Sequence, residues 1–261
     1  MPALILPFLR CPSCSGTALK EQTHKLSCPT CATEYPVRHE ILDMMTDESA
    51  EVITPFQRLM QAGPVTRIYD RVWRPAGYYI ASSRSFAEEV DTVLRFQEKT
   101  DRSRMLDLAC GTGVFARPMA RTAGMVVGFD LSWPMLNRAQ GLAQQERTSN
   151  LAFIRGTVFK LPFIDGAFPT INCCGALHLF DQPDAALGEM GRVLRPEGHV
   201  SIQTTIRPDH SGGIAYFLER FIRFGFFNQD ELKQRLRRNG FEIVRSERHR
   251  ISFTLLARKI A

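Results

Sequence analysis

The 261-residue sequence has no run of about 18 apolar residues, so we expect no segment that spans a membrane. Its apolar start, residues 1–11, has neither a basic stretch nor a small-residue cleavage site. We therefore do not expect a signal peptide and interpret this segment as the first strand of the module that follows. The cysteine count of seven is odd, which argues against a secreted disulfide scaffold and favours a reducing, cytoplasmic compartment.

Charge is moderate: charged residues make up 23% of the sequence and hydrophobic residues 44%, as in ordinary globular proteins. The net charge of +6 permits an anionic partner without requiring one. The length suits one large domain preceded by a small module. We divide the chain into a module at 1–46, a helical linker or lid segment at 47–100 and a main domain at 101–261.

The first module is defined by two Cys-x-x-Cys pairs. Four thiolates in such an arrangement can surround one Zn²⁺ tetrahedrally, and the segment 16–27 between the pairs is expected to form a hairpin. A redox role is the alternative, but two pairs within so short a segment argue against it. A module of this size has little core of its own, so a structural zinc ion would supply much of its folding free energy. The predicted zinc ligands are Cys11, Cys14, Cys28 and Cys31.

The linker or lid segment carries no motif with recognisable chemistry, although helices are expected at 55–61 and 83–96. Its aromatic residues either cover a ligand site or pack between the module and the main domain. The aromatic candidates for a lid are Tyr69, Trp73, Tyr78 and Tyr79.

The main domain is organised around residues 104–113, RMLDLACGTG. A short buried strand at 105–108 leads into a glycine turn and then a helix over 114–123. Glycines let the backbone approach a ligand closely, and the helix start offers free N–H groups. Asp107 would repel a diphosphate but suits a ligand that carries an ammonium group and a cationic centre. Strands and helices alternate from here on, which predicts a largely parallel sheet.

The stretch LDLACGTG at 106–113 resembles motif I of class I S-adenosylmethionine (SAM)-dependent methyltransferases of the type 11 kind, with Ala109 where many members have glycine. RVLRPEG at 192–198 resembles the turn before the fifth strand of that family. The cysteine module resembles the zinc-binding lead segment of some bacterial and plastid members. The resemblance implies an α/β fold: a Rossmann-like, seven-stranded sheet with a small N-terminal zinc ribbon.

The resemblance also implies where SAM would bind. Asp130 ends the second strand, where a carboxylate can accept both ribose hydroxyls, or else it caps the next helix. In the segment 156–163, Thr157 stands where the family has aspartate, while the Val158 N–H can still bond the adenine ring. The residues expected to contact SAM are Asp107, Ala109, Gly111, Gly113, Asp130, Leu131, Thr157, Val158 and Cys174.

Two histidines are candidate general bases, His178 after the fourth strand and His210 after the fifth. Arg207 could hold an acidic substrate, and the apolar run 216–227 could cover the pocket or pack on the sheet. We expect methyl transfer to a small molecule of the aromatic, quinone-like or secondary-metabolite kind. The alternatives are methylation of a ribosomal or other RNA base, which the positive charge would assist, and a non-catalytic SAM-binding partner protein.

Overall fold

The computed structural model describes residues 2–45, 72, 74–208 and 225–260. The strands in these ranges are β1 Lys20–Gln22, β2 Lys25–Ser27, β3 Glu34–Arg38, β4 Ile41–Asp43, β5 Met105–Leu108, β6 Val126–Asp130, β7 Leu151–Arg155, β8 Phe168–Cys174, β9 Leu194–Thr205, β10 Phe241–His249 and β11 Ser252–Lys259. The α-helices are α1 Pro2–Ile5, α2 Arg74–Ser82, α3 Phe86–Phe96, α4 Ala116–Ala120, α5 Trp133–Gln145, α6 Pro183–Val193 and α7 Gln229–Arg238. Short 3₁₀ helices lie at Leu6–Phe8 and Leu177–Leu179.

The described residues form one eleven-stranded sheet in the order β1-β2-β3-β4-β7-β6-β5-β8-β9-β11-β10. The strands from β4 to β9 run parallel, and β11 pairs antiparallel with both β9 and β10. The α/β prediction is confirmed, but the predicted count of seven strands is wrong for the sheet as a whole. Seven strands come from residues 105–259, and four from the cysteine module continue the sheet because β4 pairs with β7. This pairing covers an edge that would otherwise expose unpaired N–H and C=O groups.

The chain start is helical, so the prediction of a strand over residues 1–11 is wrong. Pro2 begins α1, and Pro7 lies in the following 3₁₀ helix. Proline fixes φ near the helical value and has no N–H for a strand ladder. The hairpin predicted at 16–27 is confirmed by the antiparallel pair β1–β2.

Apolar side chains of the cysteine module share a core with the main sheet. Leu26 and Tyr35 of the module are buried in the same cluster as Phe163 and Phe168. On the opposite face, a second core cluster joins helices α3, α4 and α5 to the strands. The module is thus attached both by strand pairing and by burial of apolar surface, which is the main favourable contribution to folding.

Helix ends follow the local sequence. Ser85 and Glu88 form a capping box at the start of α3, and the Asn228 side chain caps α7. Gly240 follows α7 with φ +80°, a conformation that glycine adopts without strain. The helix predicted over 114–123 is shorter, Ala116–Ala120, because residues 109–115 are used by the turn. Within the described ranges, no helix is long and apolar enough to cross a bilayer.

Candidate active site

The glycine turn after β5 has the tight geometry that its sequence predicts. Ala109, Gly111 and Gly113 all have positive φ, at +55°, +56° and +74°. A Cβ atom added at Gly113 would lie 3.3 Å from Ala139 Cβ, so this turn packs closely on α5. Ala109 takes a left-handed conformation that is costly for a residue with a Cβ atom. The turn therefore brings backbone close to the ligand edge of the sheet.

Asp130 connects this turn to the loop after β6. Its Oδ2 accepts the Gly111 N–H at 2.8 Å, and its Oδ1 accepts the Ser132 N–H at 2.9 Å. Burial raises the pKa of Asp130, and these N–H donors oppose that rise. Ser132 itself caps α5 with its side chain, so the N-cap role weighed for Asp130 falls to Ser132. A carboxylate oxygen has two acceptor positions, which leaves Asp130 capacity for a ligand hydroxyl on each oxygen.

Asp107 is buried at the centre of the sheet, 1% exposed. Its Oδ1 accepts a hydrogen bond from Asn172 Nδ2 at 2.6 Å, and its Oδ2 has no partner among the described residues. Burial raises the pKa of Asp107 to about 7, although the Asn172 bond lowers it. A buried carboxylate with an unpaired oxygen is costly, so a positively charged ligand group nearby would stabilise it.

Helix α2 contributes two side chains to the same edge. A Cβ atom at Gly111 would lie 3.2 Å from Arg74 Nη2, and one at Gly175 would lie 2.9 Å from Tyr78 Oη. Residues spaced by four share a helix face, so α2 presents Arg74 and Tyr78 together to the turns after β5 and β8. The charge of Arg74 also lowers the pKa of Asp107 and of Asp130, against the effect of burial.

Of the four aromatic lid candidates, Tyr78 therefore lies beside the site. Tyr79 is 62% exposed, and Tyr69 and Trp73 lie outside the described residues. Arg74 is not among the predicted site residues, although it lies in the same aromatic and arginine-rich segment 68–75 as two of the lid candidates and stands immediately before Pro75 at the start of α2.

The remaining predicted SAM contacts lie at the ends of β6 and β7. Leu131 is half-buried, and its carbonyl oxygen accepts a bond from Arg155 Nε at 2.9 Å. Val158 is buried, and the Thr157 hydroxyl accepts the Phe159 N–H at 3.2 Å. The register pairs Asp130 with Arg155, so these two loops leave the sheet side by side.

At the end of β8, the Cys174 thiol donates to Asn172 Oδ1 at 3.2 Å. Burial raises the pKa of Cys174, which keeps it a neutral thiol at pH 7. His178 follows on a 3₁₀ helix, with Nδ1 lying 3.3 Å from Thr204 Oγ1. Burial lowers the pKa of His178 to about 4, so it is uncharged and weakly basic at neutral pH. His210, the second candidate base, lies outside the described residues.

A cleft of about 600 Å³ lies beyond the ends of β8 and β9. Its walls combine His178 and three phenylalanines with charged groups, among them Asp181 and Arg235. Arg207 lies nearby, since its N–H donates to the Phe227 carbonyl at 2.8 Å. Of the predicted cover 216–227, only residues 225–227 belong to the described part of the chain. The phenylalanines are Phe180, Phe226 and Phe227.

The four cysteines of the module lie together, with all ligand atoms within 4.8 Å of one another. The sulfur atoms of Cys11 and Cys31 are 3.6 Å apart, and those of Cys14 and Cys28 are 3.5 Å apart. Zn–S bonds of about 2.3 Å in a tetrahedron require sulfur separations of about 3.8 Å, so the cluster fits a zinc ion.

Comparison with known proteins shows similarity that centres on the middle of the chain. Residues 105–198 match the family model described as a methyltransferase domain. The chain is 28% identical over 220 residues to the uncharacterized methyltransferase At2g41040, chloroplastic, of Arabidopsis thaliana, a match that covers 79% of this chain and 62% of that protein. It is 33% identical over 111 residues to a demethylmenaquinone methyltransferase of Lactiplantibacillus plantarum, covering 41% of each. The chain thus spans less than two thirds of either relative's length.

Solved structures show a related fold. A SAM-dependent methyltransferase from Aquifex aeolicus superposes with a TM-score of 0.59 at 17% identity, covering 76% of this chain and 99% of that one. At such low identity the likeness concerns the fold alone: this chain shares the α/β fold of that structure. The site at the ends of β5, β6 and β8 lies at the edge where ligands bind in open α/β sheets.

Proposed function

We propose that this protein transfers a methyl group from SAM to a small-molecule acceptor. The observation that carries the proposal is the charge arrangement around one glycine turn. Asp107 and Asp130 supply two carboxylates, and Arg74 adjoins Gly111 with one guanidinium. SAM offers the complementary groups: an ammonium for Asp107, two ribose hydroxyls for Asp130 and a carboxylate for Arg74.

The other SAM contacts expected from the sequence complete this site in the proposal. Leu131 and Val158 would enclose the adenine, and the Val158 N–H would bond it in place of the aspartate that Thr157 replaces. Ala109, Gly111 and Gly113 would admit the methionine part close to the backbone. Cys174 would pack against it as a small neutral side chain.

Bound SAM supplies a methyl group activated by its positive sulfur, and direct displacement by the acceptor needs few chemical groups from the protein. The chain's contribution is then to hold donor and acceptor in line, which can supply much of the rate. The lowered pKa of His178 makes it a poor base near pH 7. We therefore assign His178 to the pocket wall and favour an acceptor atom that needs little help in losing a proton.

A small, partly aromatic acceptor is favoured by the cleft beside His178, whose phenylalanines can pack against a ring. The similarity to demethylmenaquinone methyltransferase over the central segment is consistent with a quinone-like compound. RNA methylation is the second candidate, since the net charge of +6 would aid binding to phosphates. A cytoplasmic location and a structural Zn²⁺ held by the four clustered cysteines belong to the same proposal.

The first test is calorimetric titration of purified protein with SAM and with S-adenosylhomocysteine. Methyl-labelled SAM is then supplied with a small-molecule extract in one reaction and with total RNA in another. We expect binding of both ligands and label in an organic-soluble product. Label in nuclease-sensitive RNA would show that the acceptor is RNA and not a small molecule. Binding of SAM without any methyl transfer would favour a non-catalytic SAM-binding partner protein. Failure to bind either ligand would refute the proposal.

A matched pair of variants makes the binding test specific. Asp130→Asn alters the proposed ribose acceptor, whereas Arg258→Gln disrupts ion pairs with Glu197 and Glu242 at the opposite edge of the sheet. Affinity should fall in the first variant and stay unchanged in the second. Equal losses in both would indicate a general effect on folding.

A further inference from the structure

The cysteine module reaches the ligand edge of the sheet through its last strand. Asp43 ends β4, Arg155 ends β7 and Asp130 ends β6. The parallel ladders pair Asp43 with Arg155 and Arg155 with Asp130. The three residues therefore stand side by side across adjacent strands, with Arg155 between the module and the proposed ribose site.

The Arg155 side chain contacts Asp43 on one side and the loop that follows Asp130 on the other. Its Nη1 lies 3.4 Å and 3.3 Å from the two carboxylate oxygens of Asp43, and its Nε donates to the Leu131 carbonyl at 2.9 Å. Its guanidinium carbon lies 5.4 Å from the centre of the Trp133 ring. One planar guanidinium thus connects the module to the loop after Asp130, a set of contacts that an ammonium group cannot reproduce.

These contacts are shielded from water. The Arg155 side chain is 10% exposed and the Asp43 side chain 12%. A buried ion pair loses much when one partner is removed, because the other charge is left without compensation. The link is therefore sensitive to small changes in either residue, unlike the exposed ion pairs of the same module.

A second connection reaches the helix that follows the loop. In the turn between β3 and β4, His39 and Glu40 both have positive φ, at +50° and +63°. Two-residue hairpin turns with positive φ normally use glycine or asparagine, so a glutamate here is conformationally costly. Its Oε2 accepts bonds from Gln140 Nε2 at 2.7 Å and Gln144 Nε2 at 3.0 Å, both on α5.

We propose that Arg155 is a positioning residue through which the cysteine module holds the loop Leu131–Trp133 in place. Asp43 orients the guanidinium, the guanidinium fixes the Leu131 carbonyl and the Trp133 ring, and Glu40 steadies α5 behind them. The module need not touch the ligand to affect its binding. The consequence for SAM affinity rests on the proposed function, whereas the restraint on the loop does not.

The test uses the full-length protein and three variants. Asp43→Asn removes the charge at nearly constant shape, and Arg155→Lys keeps the charge but loses the Nε bond. Lys25→Met is the control, because it breaks an exposed ion pair with Glu34 inside the same module. Amide hydrogen exchange of residues 131–133 is measured without ligand, and affinity for S-adenosylhomocysteine is measured by titration.

We expect faster exchange at residues 131–133 in both Asp43→Asn and Arg155→Lys, and a dissociation constant raised about fivefold, as for the loss of one hydrogen bond. The KM for SAM should rise in parallel while kcat at saturating SAM stays near the wild-type value. Lys25→Met should match the wild type in both measurements. Asp43→Glu, which retains the charge, should recover part of the protection.

Unchanged exchange in Asp43→Asn and Arg155→Lys would overturn the proposal, as would equal acceleration in Lys25→Met. Faster exchange with unchanged affinity would remove the role in ligand binding. If the wild type binds neither SAM nor its product, the proposed function fails, and the exchange comparison still decides whether Arg155 restrains the loop.

Discussion

The Gly111 N–H donates to Asp130 Oδ2 at 2.8 Å, so the turn after β5 and the carboxylate after β6 are held together before any ligand binds. The Ser132 N–H occupies the other oxygen of the same carboxylate. Preformed contacts of this kind reduce the ordering cost of ligand binding. Asp130 thus shapes the turn, separately from its proposed role as the acceptor of ligand hydroxyls.

Replacing Asp130 with asparagine should therefore weaken binding strongly. The amide offers one acceptor oxygen in place of two and removes the charge, so we expect the dissociation constant for S-adenosylhomocysteine to rise about tenfold or more. Calorimetric titration measures this change. Asp91→Asn on the exposed face of α3 is the matched control and should bind as the wild type does. Retained affinity in Asp130→Asn would exclude the proposed ribose contact.

Ala109 gives a prediction about stability. Its φ of +55° is left-handed, a conformation that costs a residue with a Cβ atom roughly 1–2 kcal/mol. Ala109→Gly should raise the free energy of unfolding by about 0.5–1 kcal/mol, since glycine's greater freedom in the unfolded chain offsets part of the gain. Urea denaturation monitored by circular dichroism measures the difference. Ala87→Gly, on an exposed position of α3, should lower stability by a similar amount.

The largely parallel sheet of the main domain could be anticipated from its sequence because short apolar runs and helical segments alternate there. The predicted bounds of β5, residues 105–108, agree with the structure, and β6 ends at Asp130 as expected. Local chemistry also marks the ends of α7, with the Asn228 side chain as its N-cap and Gly240 after its last turn. These elements are specified by local signals: apolar runs, caps and positive-φ glycines.

Features that depend on distant contacts could not be read in the same way. The pairing of β4 with β7 joins residues 41–43 to 153–155, and no local pattern indicates it. The approach of Arg74 to the glycine turn likewise depends on how α2 packs. The turn at His39 and Glu40 has positive φ angles without glycine, and the hydrogen bond from Gln140 on α5 to the Glu40 side chain helps to hold it. Each of these three features is decided by tertiary contacts. Two of them, the β4–β7 pairing and the turn at Glu40, involve residues that connect the cysteine module to the site.

Asp107 predicts a pH dependence of stability. Its pKa in the folded protein is raised to about 7 by burial, above the unfolded value of about 3.9. Between these values the folded state binds more protons than the unfolded state, so this group makes stability fall as pH rises from about 4 to about 7. Asp107→Asn should remove that part of the slope. Thermal melting of ligand-free protein across this pH range measures it, and an identical slope in both proteins would contradict the assignment.

The same carboxyl group predicts a trend in ligand affinity. Only the ionised form of Asp107 attracts the ammonium of SAM, so affinity should increase as pH rises through about 7. In Asp107→Asn the affinity should be lower and nearly independent of pH over this interval. Titration at several pH values measures the dependence. Adenosine lacks the ammonium group and serves as the control ligand. Its affinity should neither increase with pH nor fall in Asp107→Asn.

The cysteine cluster predicts the effect of metal removal. If one Zn²⁺ is held by the four thiolates, elemental analysis should find one zinc ion per chain, and Cys28→Ser should lose it. Chelation should then unfold the hairpin β1–β2, because Leu26 is the only buried residue of these two strands. Cys174→Ala is the matched control: it removes a buried thiol remote from the cluster and should retain the metal. Since Asp43 belongs to the same module, metal loss should also accelerate hydrogen exchange at residues 131–133. If zinc-free protein kept the stability of the untreated protein, the fold of the cysteine module would not depend on a metal ion.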